Sequence, residues 1–206
     1  RLFPPSWKQI IITAVTLLLF LVIVVTLGGF WDEFWYEGLW SRILPQPTVI
    51  IYILVISRFL LPFQKKAVAS LRRISGLDDA AYAKLVQETL AKTSRGATPA
   101  LILGFAFGFI ASLPWGGFEN VSLVDFYFPL VNGMMFGMIL LVIQQSISEG
   151  HLSGRLLQGP LNFDIFYTAP FIPIGLNGLT VALAFVGGST IVVFFNAAGQ
   201  MGFLLI

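Results

Sequence analysis

The sequence predicts an all-α fold: a polytopic integral membrane helical bundle with five complete transmembrane helices and room for part of a sixth. The chain of 206 residues is 57% hydrophobic and only 11% charged, whereas an ordinary soluble domain carries about 25% charged residues. Its apolar residues come in blocks, and a helix needs about 20 such residues to cross a bilayer. Nearly all charged residues lie in the intervals between these blocks.

The predicted spans are the apolar runs with acceptable helix composition, and they form a single transmembrane domain over residues 1–206. The first run is too long for the core of a signal peptide and is not followed by a small-residue cleavage site, so we interpret it as a span. A sixth span could begin near Gly199. Because the chain begins with Arg1 and stops inside an apolar run, we expect the polypeptide to continue at one or both ends. The five spans cover residues 9–30, 46–63, 98–114, 123–145 and 176–195.

Lysines and arginines are distributed unequally between the intervals, and this predicts the orientation. Eleven of the 12 basic residues fall on or near one side of the predicted bundle, and only Arg42 lies opposite. An excess of basic residues marks the cytoplasmic side. We therefore expect a cytoplasmic N-terminus in a bacterial-type plasma (inner) membrane.

The net charge indicates which classes of partner to expect. A net charge of +2 is too small to indicate nucleic acid. We expect membrane lipids as partners, together with other membrane protein subunits or self-association.

Aromatic residues are concentrated just after the first span, in the segment FWDEFWYEGLW at residues 30–40. Indole and phenol rings favour the headgroup layer because they combine an apolar ring with a hydrogen-bonding group. We interpret the segment as a short interfacial helix at the outer surface, in which Trp31, Trp35 and Trp40 contact lipid headgroups. An aromatic substrate gate is the alternative.

The longest polar interval, residues 64–97, is predicted to form two short cytoplasmic helices. Gly76 ends the first and Asp78 can cap the second. The second helix has a regularly spaced face that includes Tyr82, so it is predicted to lie against the membrane surface or a partner protein. Basic residues of the first helix lie beside the inner leaflet, where each gains about 1 kcal/mol from anionic lipid. They are Lys65, Lys66, Arg72 and Arg73.

Residues 159–178 form a second irregular interval, which is apolar but interrupted by prolines and glycines. Irregular backbone cannot face lipid, because its amides would lack hydrogen-bond partners. We predict an elbow at the cytoplasmic interface, and a re-entrant segment folded back among the helices is the alternative.

Catalytic and metal-binding sequence patterns are absent. The chain has no cysteine, which excludes disulfides and thiolate metal sites, and its single histidine, His151, lies in a polar interval where we interpret it as solvated. No predicted span carries two acidic residues. We therefore predict that the protein is not an enzyme and binds no cofactor or metal.

Two polar residues at bilayer depth are candidate functional residues, because such groups are costly in hydrocarbon. Arg58 is interpreted as reaching the headgroups, with pairing to Asp164 or Glu149 and a gating role as alternatives. Asn132 is predicted to hydrogen-bond between helices. The double glycine in residues 187–190 could mark a broken-helix transport site, although close helix packing explains it more simply.

Two pairs of glycines lie four residues apart in spans three and four. Glycine is unfavourable inside a helix, but this spacing lets two helix backbones approach closely. Counted from the ends of the spans at 1.5 Å per residue, the pairs lie at depths that agree within about 3 Å. We predict a tightly packed antiparallel hairpin; docking of another subunit, or a lipid or cofactor in the groove, are the alternatives. The pairs are Gly104 with Gly108 and Gly133 with Gly137.

These patterns favour a non-catalytic role. The chain is predicted to be a membrane-embedded subunit of a larger complex or the membrane input module of a receptor. The alternative is a small transporter or channel that uses Arg58, Asn132 and a bend at residues 187–190.

Overall fold

The structure is a computed structural model that describes residues 5–74, 76–113, 122–158 and 171–204. These ranges are almost entirely helical, without strands, which confirms the predicted all-α class. Five of the helices are long and apolar enough to cross a membrane, by length and composition. The helices are α1 (Trp7–Gly28), α2 (Trp31–Trp35), α3 (Trp40–Ile43), α4 (Pro45–Ile74), α5 (Asp79–Ala111), α6 (Leu123–Gln158) and α7 (Ile172–Leu204).

The first helix has well-defined ends. Ser6 and Gln9 form a capping box, in which the Ser6 hydroxyl accepts from the Gln9 N–H at 3.3 Å and the Gln9 side chain accepts from the Ser6 N–H at 2.7 Å. This satisfies two of the amides that a helix start leaves without partners. Gly29 ends the helix with a φ of 72°, a left-handed conformation that favours glycine. The chain then turns into α2.

The long helices form an open row with one helix against it. α5 packs on α6, α6 also contacts α4, and α4 contacts α7, while α1 lies against both α4 and α6. The chain direction alternates so that α4 and α6 end where α5 and α7 begin. We call that end the basic end and the opposite one, which carries α2 and α3, the aromatic end. α5 and α7 each have one main partner helix, so their outer sides are exposed.

The main hydrophobic core lies between α1, α4 and α6, towards the aromatic end. Its most deeply buried members include Val25, Ile43, Ile50, Tyr127 and Val131. The short helix α3 contributes Ile43, so the aromatic segment is attached to the bundle by packing as well as by the chain. This core holds the three central helices together.

A second, smaller cluster lies at the basic end. Leu71 of α4 is buried there with Leu152 and Leu156 of α6, and partly buried residues of α5 and α7, among them Tyr82 and Ile174, pack around them. These residues come after the apolar spans along α4 and α6. We call residues 64–74, 79–97 and 146–158 the helical extension.

The predicted connection over residues 64–97 is corrected in one respect. Its first half continues α4 and its second half continues α5, so neither is a separate short helix. Asp78 does cap α5, since its carboxylate accepts the Ala81 N–H at 2.8 Å. Continuation is favourable because it keeps the backbone hydrogen bonds of both spans, and the cluster around Leu71 gives the polar helices an apolar face to bury.

Two further predictions differ from the structure in the last third of the chain. Residues 172–178, the end of the predicted elbow, are the first turns of α7 rather than an elbow, and residues 159–170 lie outside the described residues. Pro173 is accommodated because the first N–H groups of a helix have no intrahelical partner. Residues 199–204 continue α7, so no separate sixth helix begins at Gly199.

Candidate functional site

The closest approach between two helices occurs where α5 meets α6. A Cβ placed on Gly104 would lie 2.5 Å from the Phe136 carbonyl oxygen and 2.7 Å from the Gly137 Cα. Real Cβ atoms essentially never come within 3.0 Å of such neighbours. Both neighbours belong to the backbone and cannot rotate away, so the separation of the two helices depends on glycine at position 104.

The other three glycines lie in the same contact. A Cβ on Gly108 would lie 2.7 Å from the Asn132 carbonyl oxygen, and Cβ atoms on Gly133 and Gly137 would lie 3.0 Å from the carbonyl oxygens of Phe105 and Leu101. The structure thus brings the four glycines together, with Gly104 opposite Gly137. The shortest distances are those from a Cβ on the two glycines of α5.

Gly96 belongs to this contact, although the sequence analysis did not include it. A Cβ on Gly96 would collide with the side-chain amide of Gln144 in α6. The signal was available, because positions 96, 100, 104, 108 and 112 are all small and follow one another at every fourth residue. It was missed because the predicted span began at residue 98.

Asn132 joins the same two helices through polar contacts. Its side-chain Nδ2 donates to the Gly108 carbonyl oxygen at 3.2 Å and to the Ser112 hydroxyl, and that hydroxyl donates to the Gly108 carbonyl at 2.7 Å. Glycine at position 108 allows the two helices to approach closely enough for this contact, because a Cβ there would lie 2.7 Å from the Asn132 carbonyl oxygen. The side-chain N–H groups of Asn132 are therefore directed into a helix contact.

Arg58 connects α4 with the beginning of α1. Its Nη1 donates to the Pro5 carbonyl oxygen at 3.2 Å, and its guanidinium lies 5.6 Å from the centre of the Trp7 ring, a cation–π distance. Among the described residues it forms no ion pair, so pairing with Glu149 is not found, and Asp164 lies outside them. Arg58 therefore holds the two helices together at the basic end.

The double glycine of α7 accommodates Tyr52 of α4, a residue that the sequence analysis did not select. The Tyr52 hydroxyl donates to the Ala184 carbonyl oxygen at 2.8 Å, and its ring lies against Gly187 and Gly188. α7 stays helical through residues 187–190. The double glycine therefore serves helix packing, and the broken helix of the transport alternative is not found.

The aromatic segment forms two very short helices in place of a single interfacial one. Trp31 and Trp35 are 41% and 63% exposed, whereas Phe34 between them is buried. Trp40 packs against Phe195 of α7, with the ring centres 6.2 Å apart. Two indoles thus remain available for a headgroup layer, and the third secures α7.

The predicted lipid-contacting cations fall into two groups. Lys65 and Lys66 are exposed. Arg72 forms an ion pair with Asp79 at 2.5 Å and lies 5.3 Å from the centre of the Tyr82 ring. The side chain of Arg73 lies outside the described residues. Arg72 therefore stabilises the corner between α4 and α5 rather than standing free for lipid.

The described residues contain no group of three metal-ligating side chains close together. Their surface carries shallow, open grooves, one of which lies on the helical extension between Arg72, Tyr82 and Gln87. Comparison with protein-family models, with curated proteins and with solved structures finds no match for this chain.

Proposed function

We propose that this chain is a non-catalytic membrane protein that serves as the membrane-embedded subunit of a larger complex or as the membrane input module of a receptor. The observation that carries the proposal is the helical extension. α4, α5 and α6 continue roughly 15–30 Å past their apolar spans, and they close around the cluster of Leu71, Leu152 and Leu156. Such an extension presents a folded surface beyond the headgroups, where a soluble partner can bind.

Helix continuity supports coupling between the membrane part and that surface. α5 runs over 33 residues and α6 over 36 without an interruption, and the close glycine contacts hold them at a short separation. A tilt or shift of this pair within the bilayer would move the extension as well. This is the property that an input module needs, because rigid elements with two arrangements transmit a change between sites.

The open row also favours a subunit. The outer sides of α5 and α7 account for much of the exposed apolar surface, with Leu103, Phe107, Val193 and Phe194 each more than half exposed. Lipid or neighbouring subunits would cover these sides.

A small transporter or channel is the alternative function, and no contact among the described residues favours it. Arg58, Asn132 and Gly187 would be its working parts, but each is engaged in a helix–helix contact. Ion or solute flux in liposomes that is abolished by Asn132→Ala, with assembly intact, would favour transport over our proposal.

The proposal is tested by purifying the protein from its native membrane in mild detergent and measuring the mass of the particle. We expect a stoichiometric partner protein, and we expect Ala83→Arg, in the groove on the extension, to release it without lowering the melting temperature. Ala91→Arg, at an exposed position farther along the same helix, is the matched control and should retain the partner. A homo-oligomer without partners would overturn the proposal.

A further inference from the structure

Three contacts at the basic end show which residues of neighbouring helices lie at the same height along the bundle axis. Leu71 of α4 packs with Leu152 and Leu156 of α6, Gly96 of α5 faces Gln144 of α6, and Arg58 of α4 binds the Pro5 carbonyl beside α1. With a rise of 1.5 Å per residue along each helix, these contacts align α1, α4, α5 and α6. Residues far apart in the sequence can therefore be assigned to a common height.

Six basic residues fall within one band of about 15 Å in this alignment. They come from three helices, α1, α4 and α5, and five of them are exposed, the half-buried one being Arg58. The only acidic residue of the described chain at this height is Glu149, which is half-buried. We call these six residues the basic belt: Lys8, Arg58, Lys65, Lys66, Lys92 and Arg95.

Ion pairing distinguishes the basic belt from two of the cations farther along the extension. Arg72 is paired with Asp79 and Arg155 lies 3.9 Å from Glu88. No residue of the basic belt forms an ion pair within the described chain. Two basic residues of the extension thus have an acidic partner, whereas Lys84 and the residues of the belt have none among the described residues.

We propose that the basic belt binds the phosphate-bearing headgroups of anionic phospholipids, so that the protein carries a selected shell of anionic lipid at this end. The inference rests on the membrane embedding proposed above. Lysine and arginine donate charge-assisted hydrogen bonds to phosphate oxygens, and Trp7, which lies against Arg58, is suited to the headgroup layer. The belt spans about 15 Å along the bundle axis. This is comparable to the thickness of a headgroup layer plus the distance that lysine and arginine side chains can reach towards it.

Lipid fits this arrangement better than a free anion or an acidic protein. The six cations are spread over α1, α4 and α5 instead of converging on a pocket, and a free phosphate would need a convergent set of donors. They also share one height on three helices, which is the distribution that a planar layer of charge requires.

The test uses Trp7 as a reporter in vesicles of defined lipid. The full chain is prepared with Trp7 as its single tryptophan, the others being replaced by phenylalanine, and incorporated into phosphatidylcholine with or without phosphatidylglycerol. Quenching of Trp7 by brominated phosphatidylglycerol, compared with brominated phosphatidylcholine, gives the preference for anionic lipid. We expect a preference of about fivefold for each charge that the lipid contacts at low salt, falling as salt is added.

Matched variants locate the effect. Lys8→Gln, and Lys65→Gln combined with Lys66→Gln, should reduce the preference several-fold. Lys84→Gln, an exposed lysine about 14 Å beyond Lys65 in the same alignment, should leave it unchanged. A single-tryptophan variant retaining Trp35, at the aromatic end, should show no anionic preference. Native mass spectrometry of the unmodified chain in mixed lipid provides a second reading, in which bound phosphatidylglycerol should exceed phosphatidylcholine.

The outcomes separate the two proposals. Flotation with phosphatidylcholine vesicles combined with equal quenching by both lipids would refute the basic belt alone. An equal loss of preference in Lys84→Gln and Lys8→Gln would refute it as well, and so would displacement by inorganic phosphate beyond that caused by chloride of equal ionic strength. Failure to float with either lipid would refute the membrane embedding on which both proposals depend.

Discussion

Replacing Gly104 by alanine is the most direct perturbation of the α5–α6 contact. The new Cβ would lie 2.5 Å from the Phe136 carbonyl oxygen and 2.7 Å from the Gly137 Cα, about 1 Å closer than an ordinary van der Waals contact. Neither neighbour can move without the backbone of α6. The helices must therefore separate locally, which would lengthen the hydrogen bond from Asn132 to the Gly108 carbonyl.

The expected change in the free energy of unfolding follows from two opposing effects. Alanine in place of glycine inside a helix is favourable by about 1 kcal/mol, whereas one extra carbon in a closely packed contact costs about 1–3 kcal/mol. Gly150→Ala in α6 isolates the first effect, because a Cβ there has nothing within 4 Å. The free energy of unfolding of Gly104→Ala should therefore be about 1–3 kcal/mol lower than that of Gly150→Ala, with the larger value favoured because both colliding atoms are backbone.

The measurement is reversible unfolding in detergent micelles, followed by far-ultraviolet circular dichroism as the denaturing detergent is increased. Gly137→Ala should be the milder change of the facing pair, because its Cβ would be 3.0 Å from its nearest neighbour. Equal stability of Gly104→Ala and Gly150→Ala would show that the separation of α5 and α6 does not depend on glycine. A larger loss for Gly137→Ala than for Gly104→Ala would contradict the assigned register.

Three further predictions concern other contacts between helices. Tyr52→Phe removes the hydrogen bond to the Ala184 carbonyl and should cost about 0.6 kcal/mol, with faster amide exchange in α7; unchanged exchange would contradict this attachment of α7. Asn132→Ala removes the bond to the Gly108 carbonyl and should cost about 1–2 kcal/mol in the same unfolding assay; a neutral result would show that this polar contact does not hold the helices. Leu71→Ala leaves a cavity in the helical extension, since Leu71 is 1% exposed, and should cost about 2–5 kcal/mol with faster limited proteolysis between α4 and α5; wild-type resistance would refute a packed extension.

The glycines illustrate how far local spacing can predict a contact. Their four-residue repeat indicated a small face on each helix, and the short stretch between spans three and four suggested antiparallel neighbours. Spacing did not reveal that a Cβ on Gly104 would meet only backbone atoms, whereas a Cβ on Gly133 would meet both the carbonyl oxygen and the ring of Phe105. That distinction depends on the rotation of each helix about its axis, which is set by all the contacts along the pair.

Arg58 and Tyr52 show what local spacing cannot predict. The partner of Arg58 is a backbone carbonyl 53 residues away, and that of Tyr52 is a carbonyl 132 residues away. Every residue has the same backbone carbonyl whatever its side chain, so the sequence does not indicate which carbonyl accepts the hydrogen bond. Neither the Pro5 carbonyl as a partner of Arg58 nor a contact for Tyr52 was therefore predicted.

The prediction of two short helices after span two was wrong for a related reason. Charged residues predict where the apolar spans stop, but charge does not end a helix, and residues 64–74 contain no glycine or proline. Only the packing of Leu71 against Leu152 and Leu156 decided that α4 continues as part of a folded extension.

Composition and the lengths of apolar runs were sufficient to predict an all-helical chain with five helices able to cross a membrane, because both are local properties that a helix satisfies with its own backbone hydrogen bonds. The open row, the position of α7 beside α4, the helical extension and the height of the basic belt were decided by contacts between distant segments. Apolar surface is nearly interchangeable among helices, so their pairing depends on a few small residues, polar atoms and rings whose fit exists only once the helices are packed.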